Sequence, residues 1–163
     1  MIKSVVLIKG GPRAMMAEMK GDGMKAALSD ALLHWHAKFL PLHFEQPAHA
    51  RYHYESRTAK WADRKLRTSG STRDLVWTGR LMQEARAQIK ISGTAVAMRG
   101  ALSVPSYMYK YEMRGPRRLG PDKAAEVLRT IKSEEKEMGE VAAEVLAKRL
   151  DKLNTTETFS TAA

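Results

Sequence analysis

The densest clusters of titratable side chains are His34-Trp35-His36, with His43 close behind, and the group His49, Tyr52, His53, Tyr54 and Glu55. Two histidines chelate a metal or relay a proton only when they reach one point. Residues two apart on a helix point in different directions, so His34 and His36 form no chelating pair, and the four-residue spacing of HExxH is absent. They read as surface histidines flanking a core tryptophan, Trp35. In the second cluster Glu55 is the acid at hand, and no serine sits in a nucleophile elbow. A solvated aromatic loop describes it better than an enzyme site built from His49, His53 and Glu55. Gly10-Gly11-Pro12-Arg13 and Gly21-Asp22-Gly23 match neither GxxxxGK[ST] nor GxGxxG, so neither is a phosphate loop. The absence of cysteine excludes disulfides, thiolate metal ligands and a cysteine nucleophile. The residues assemble no catalytic set, so the expectation is a protein that is not an enzyme and carries no cofactor or metal.

Charge points to contacts instead. The 163-residue chain has net charge +10. Its first 120 residues hold 21 bases against 9 acids, whereas residues 121–153 hold 7 against 8. A basic body beside a near-neutral C-terminal segment suggests an anionic partner, either nucleic acid or an acidic protein surface; a solvated positive surface is the plain alternative. Between Arg51 and Lys90 ten bases face four acids, and Arg57, Lys60, Arg64, Lys65, Arg67 and Arg73 are the candidate contacts. Interleaved Tyr52, Tyr54 and Trp61 could stack on single-stranded bases, but Trp61 equally suits a core anchor, and no named nucleic-acid motif is present.

The elements that position these residues follow from periodicity. Residues 2–8 are β-branched and apolar and predict a short strand, followed by a helix-competent Met/Ala stretch over 13–20. Met24, Ala27, Leu28, Ala31, Leu32, Trp35 and Phe39 recur at three- and four-residue steps and predict an amphipathic helix that ends near Pro41. Residues 43–71 read as loop-rich, with a short helix over 57–67 and a polar loop over 68–72. Ala85, Ala87, Ile89 and Ile91 alternate, predicting a strand, a turn at Ser92-Gly93 and a returning strand over 94–102. Tyr107, Tyr109 and Tyr111 alternate again. Asp122 is placed to cap a last helix of about 30 residues, roughly 45 Å long, with part of it packing on something else.

From residue 56 onward the order of features adds a resemblance. Ser56-Arg57-Thr58-Ala59-Lys60-Trp61, the basic run to Arg67, and Leu75-Val76-Trp77-Thr78-Gly79-Arg80-Leu81 resemble tailed-phage virion-morphogenesis and tail-completion (neck, head–tail joining) proteins. These often carry a Trp/Lys segment, a Leu-x-x-Thr-Gly-x-Leu motif, a β-hairpin, an aromatic segment ending near a glutamate and glycine, and a C-terminal helix. Here Tyr107 to Tyr111, Glu112 and Gly115 supply the aromatic piece. The resemblance covers residues 56–115; the charged C-terminal helix and the His/Tyr-rich segment before Ser56 depart from it. With Trp35, already placed in the core by its helical repeat, Trp61, Trp77, Thr78, Gly79, Leu81, Tyr107 and Tyr109 are the candidate core or motif positions. The resemblance implies a structural virion protein at the neck or tail end, with connector or tail-tube proteins as partners, a homo-oligomeric ring and a passing contact with DNA. A basic nucleic-acid-binding module is the alternative.

The expected fold is α+β: a small, mainly antiparallel sheet packed by the amphipathic helix, plus a long C-terminal helix. Residues 1–120 form the body, 121–153 the helix of the same domain, and 154–163 a disordered tail. No apolar run approaches the roughly 20 residues of a membrane span, and the opening segment is too short for a signal-peptide core. Synthesis in the bacterial host cytoplasm and residence in the virion are the corresponding expectations.

Overall fold

The computed structural model describes residues 3–8, 12–76, 78–103, 123–153 and 156–161, with side chains from Met16 and Ala125 onward in the second and fourth of these and none in the first and last. Trp77, Tyr107, Tyr109, Glu112, Gly115 and Asp122 lie outside the described residues. The fold is α+β. Strand β1 (Lys3–Ile8) precedes α1 (Pro12–Lys20) and α2 (Asp22–His34). The chain then winds through a π turn, Trp35–Phe39, and a 3-10 turn, Leu40–Phe44, into α3 (Ala48–Tyr52) and α4 (Ala59–Ser69). Helix α5 (Arg80–Ala87) leads to strands β2 (Ile89–Gly93) and β3 (Met98–Leu102). After it come α6 (Lys123–Val127), α7 (Lys132–Leu153) and β4 (Thr156–Thr161). No described helix is long and apolar enough to cross a membrane.

The helical face expected from Met24 onward forms, with Ala27, Ala31, Trp35 and Phe39 buried. Its geometry changes midway. The Leu40 N–H reaches back five residues to the Trp35 carbonyl, and this wider turn brings Trp35, Phe39 and Leu40 into one core together. Pro41 sits within the first turn of the 3-10 segment, where its missing N–H costs nothing. Residues 40–52 are therefore largely helical rather than loop. The apolar positions Leu40, Phe44, Ala48 and Tyr52, spaced by four, carry the helical repeat through a stretch in which polar neighbours hide it.

Helix α5 replaces the first half of the expected strand. Leu81 and Ala85 are buried one turn apart while Ala87 is exposed, a helical pattern, and alanine is the strongest helix former. Gly79 starts this helix at φ +79°, a left-handed conformation that disfavours any residue with a Cβ, and the Thr78 hydroxyl accepts from the Arg80 N–H at 3.4 Å. The Thr-Gly-x-Leu element is thus a helix start that aims Leu81 into the core.

The hairpin pairs Ile89 with Leu102 and Gly93 with Met98, so Ser92-Gly93 closes the ladder and residues 94–97 make the turn. Val96 is accordingly a loop residue, not a strand residue. On the inward side Ile89, Ile91, Met98, Gly100 and Leu102 are half-buried. A Cβ at Gly100 would come within 2.6 Å of Ile89 Cδ1, with Leu32 of α2 just beyond, so the amphipathic helix packs directly on this small sheet.

Two expectations at the C-terminus are corrected. The last helix breaks at residues 128–131, leaving an α7 of 22 residues, about 33 Å. At the break Arg129 donates to the carbonyls of Tyr52 (2.9 Å) and His53, and the Ile131 carbonyl accepts from Glu134 and Glu135. From there α7 lies along α2 and α1, with Met138, Val141, Ala142, Val145, Leu146, Leu150 and Leu153 half-buried. Residues 156–161, expected to be disordered, form β4 and pair antiparallel with β1, Lys3 opposite Thr161 and Ile8 opposite Thr156. Threonine-rich segments favour extended backbone, which the polar composition concealed.

Candidate functional site

Three acids of the C-terminal segment enter the body, and each meets a basic group there. Glu126 is 2% exposed. One of its oxygens accepts from Arg57 Nη2, the other from the Glu55 backbone N–H at 3.2 Å. Arg57 Nε lies 3.5 Å from Asp74 Oδ1, and Asp74 Oδ2 lies 2.9 Å from His49 Nδ1. Glu134 is fully buried; its Oε1 accepts from the Tyr52 hydroxyl at 2.7 Å and from Arg51 Nη2 at 3.2 Å. Its Oε2 has no hydrogen-bond partner among the described residues. Glu137, nearer the surface, accepts from Lys38 Nζ at 2.5 Å and lies 2.6 Å from His34 Nε2, contacts that hold its carboxyl below the usual range, Lys38 most of all.

Behind Glu134 stands an aromatic stack. The His43 and Tyr52 rings lie 3.7 Å apart, and His43 Nδ1 is 2.6 Å from the Tyr54 hydroxyl. Burial pushes the His43 imidazole down to about 4; the nearby Arg51 charge acts in the same direction and the Glu126 backbone opposes it. Burial also raises both tyrosines above their ordinary range, reinforced by Glu134 at Tyr52 and by Glu126 at Tyr54. A neutral imidazole between phenols and a carboxylate has the components of a proton relay, but His43, Tyr52 and Glu134 are sealed from solvent. The network joins segments, because an ion buried without its partner would cost several kcal/mol.

The sequence-derived contact residues divide. Arg57 is not a surface base: its side chain is 7% exposed, held between Glu126 and Asp74. Lys65 is likewise buried, its ammonium 5.0 Å from the centre of the half-buried Trp61 ring, over which Arg57 also lies at 5.5 Å. Both lie inside although long basic side chains usually end in water, which is why the sequence points them outward. Lys60, Arg64 and Arg67 are exposed on α4. Arg73 is exposed too, with Nη1 3.5 Å from the Phe44 carbonyl. Of the motif positions, Trp35 and Leu81 are in the core, Thr78 is exposed and Gly79 shapes the backbone.

His34 and His36 diverge, one to Glu137 and the other donating from Nε2 to the Ala85 carbonyl at 2.9 Å. His49, His53 and Glu55 do not converge: His49 turns to Asp74, and His53 is an exposed left-handed residue ending α3. Among the described residues no three histidine or acidic side chains are placed to hold a metal ion. A groove of about 360 Å³ lies elsewhere, between α2, the hairpin turn and α7, lined by Leu28, Ala31, Leu32, Val96, Ala97, Met98, Met138, Gly139 and Ala142. Among the described residues its walls offer no acid, base or nucleophile.

Sequence reasoning missed Glu126, Glu134 and the His43–Tyr52–Tyr54 stack. One signal existed. Glu134 falls three residues after Ile131 and four before Met138, inside the apolar stripe of α7, and an acid in such a stripe needs a buried partner. Compared with known proteins, the chain matches no family model, no curated protein and no solved structure.

Proposed function

We propose that this chain is a structural subunit of a tailed-bacteriophage neck or tail end, working through protein–protein contacts in tail completion or head–tail joining. The observation that carries the reading is the hairpin turn. Val96 is 92% exposed at the rim of an apolar groove, while the interior spends its charged groups on internal joints. Exposed apolar residues gain from being covered, and Met16 and Met19 on α1 present a second such place on a different element. Two different sticky surfaces on one subunit are what a heterologous ring contact requires, each copy offering one patch to the next. The resemblance over residues 56–115 supplies the setting: connector or tail-tube proteins as partners, in the virion.

Native mass spectrometry and electron microscopy of the full chain, alone and with connector or tail-tube proteins, test this. A closed ring, dissociated by Val96→Glu, is the expected result. A monomer at every soluble concentration that docks on neither protein class would overturn it.

A further inference from the structure

We infer that the outer face of α4 is a contact surface for the phosphate backbone of duplex DNA, formed by Lys60, Arg64 and Arg67. The helix is fixed at both ends and from inside. Thr58 caps its start by accepting from the Trp61 N–H at 3.3 Å, and Gly70 ends it in the left-handed conformation. Lys65 and Trp61 turn inward, and with 3.6 residues per turn that orientation sends positions 60, 64 and 67 outward as a single row.

Those three side chains are exposed, and among the described residues none of them pairs with a carboxylate. Some exposed bases elsewhere are paired: Lys38 with Glu137, Lys136 with Glu140 and Lys148 with Glu144. Like charges at three- and four-residue spacing weaken a helix by a few tenths of a kcal/mol per pair, a cost that Asp63, three residues after Lys60 and four before Arg67, partly offsets. Asp63, the one acid of α4, lies at its flank, where its backbone carbonyl accepts from Arg67 Nε at 3.4 Å.

The chemistry selects duplex phosphate over the alternatives. The core of a protein interface is apolar and aromatic and depleted in charge, whereas this row contains cations alone. Single-stranded nucleic acid is gripped by stacking on open aromatic faces, and Trp61 is half-buried with two cations already over its ring. The row spans about 10 Å along the helix, long enough to reach more than one phosphate of a strand whose charges rise roughly 3.4 Å apart along the duplex axis. Phosphate contacts of this kind carry no base readout.

The inference does not rest on ring formation. A monomer that docks on neither protein class yet binds duplex as described would remove the neck reading and leave this one intact.

Fluorescence anisotropy of a labelled mixed-sequence duplex against salt tests it, using the full chain, the triple variant Lys60→Gln/Arg64→Gln/Arg67→Gln, and a control that removes equal charge elsewhere, Lys25→Gln/Lys132→Gln/Lys136→Gln. At about 0.9 per neutralised phosphate, the triple variant should flatten the log–log salt slope by about 2 to 3 and weaken binding at least about tenfold. The control should change affinity less than about twofold, with circular dichroism unchanged in both, since all six positions are exposed. Equal losses in triple variant and control would reduce the effect to net charge and overturn the proposal. So would tighter binding of single strands, or row-dependent binding of polyglutamate without binding of duplex, which would assign the face to an acidic protein.

Discussion

The two ends of the C-terminal segment hold to the body by different physics. At Glu126 and Glu134 the attachment is made by buried ions whose partners lie in residues 49–74 of the chain, and Glu137 adds a shallower pairing with Lys38 and His34. From Gly139 to Leu153 it is made by half-buried apolar side chains along α1 and α2, to which the peripheral ion pair of Arg149 with Glu18 at 2.6 Å is added. Apolar contact tolerates small displacements. A buried charge does not, because losing its partner strands it in a poor dielectric. The proximal end is therefore a fixed joint with a defined position, and the distal end a graded adhesion.

The largest test of that contrast is Arg57→Ala, which deprives both Glu126 and Asp74 of their cation. Unfolding by denaturant should show a loss of about 3–5 kcal/mol, the usual result of breaking one side of a buried pair. Arg57→Lys should recover part of it, since one ammonium cannot reproduce the guanidinium fork.

Next in size is the response to pH. His43 binds its proton at about 4 in the folded state against 6.5 ordinarily, so the unfolded chain takes up the proton first. The stability contributed by the neutral imidazole is complete above pH 6.5 and is lost as pH falls toward 4, by up to about 3 kcal/mol. Thermal melts across that window should slope for the native chain and be flatter for His43→Phe; equal slopes would show that the stack does not feel the joint's burial.

Glu134→Gln, which keeps an acceptor for Tyr52 but removes the charge facing Arg51, should cost about 1–3 kcal/mol by the same denaturant measurement. At the distal end Arg149→Ala should cost at most about 1 kcal/mol, as partly exposed pairs do. A distal loss exceeding the proximal ones would invert the comparison.

How much of this was legible in the sequence depends on distance along the chain. The α2 face was readable because Met24 through Phe39 repeat within one helix, and the hairpin because Ile89 and Ile91 alternate a few residues from their partners. The strand assignment at Ala85 failed locally: alanine satisfies a period of two or of four, and Leu81 decided it. Arg57 and Lys65 were unreadable as interior residues, since only the fold brings Glu126 to Arg57 across 69 positions. The Thr78-Gly79 pair was visible as a motif, but its work, turning the backbone so that a helix can begin, became apparent only from the sign of one dihedral angle.

The β1–β4 ribbon carries a consequence in time. Its strands join Lys3 to Thr161, so a segment made early must wait for one made far later along the chain. The body can collapse around Trp35 and Tyr52 while synthesis continues, yet β1 stays without its mate until the chain has been extended to Thr161. The ribbon can therefore close only after Thr156–Thr161 has been made, and a chain arrested before Thr156 leaves an apolar strand open to pairing with another molecule.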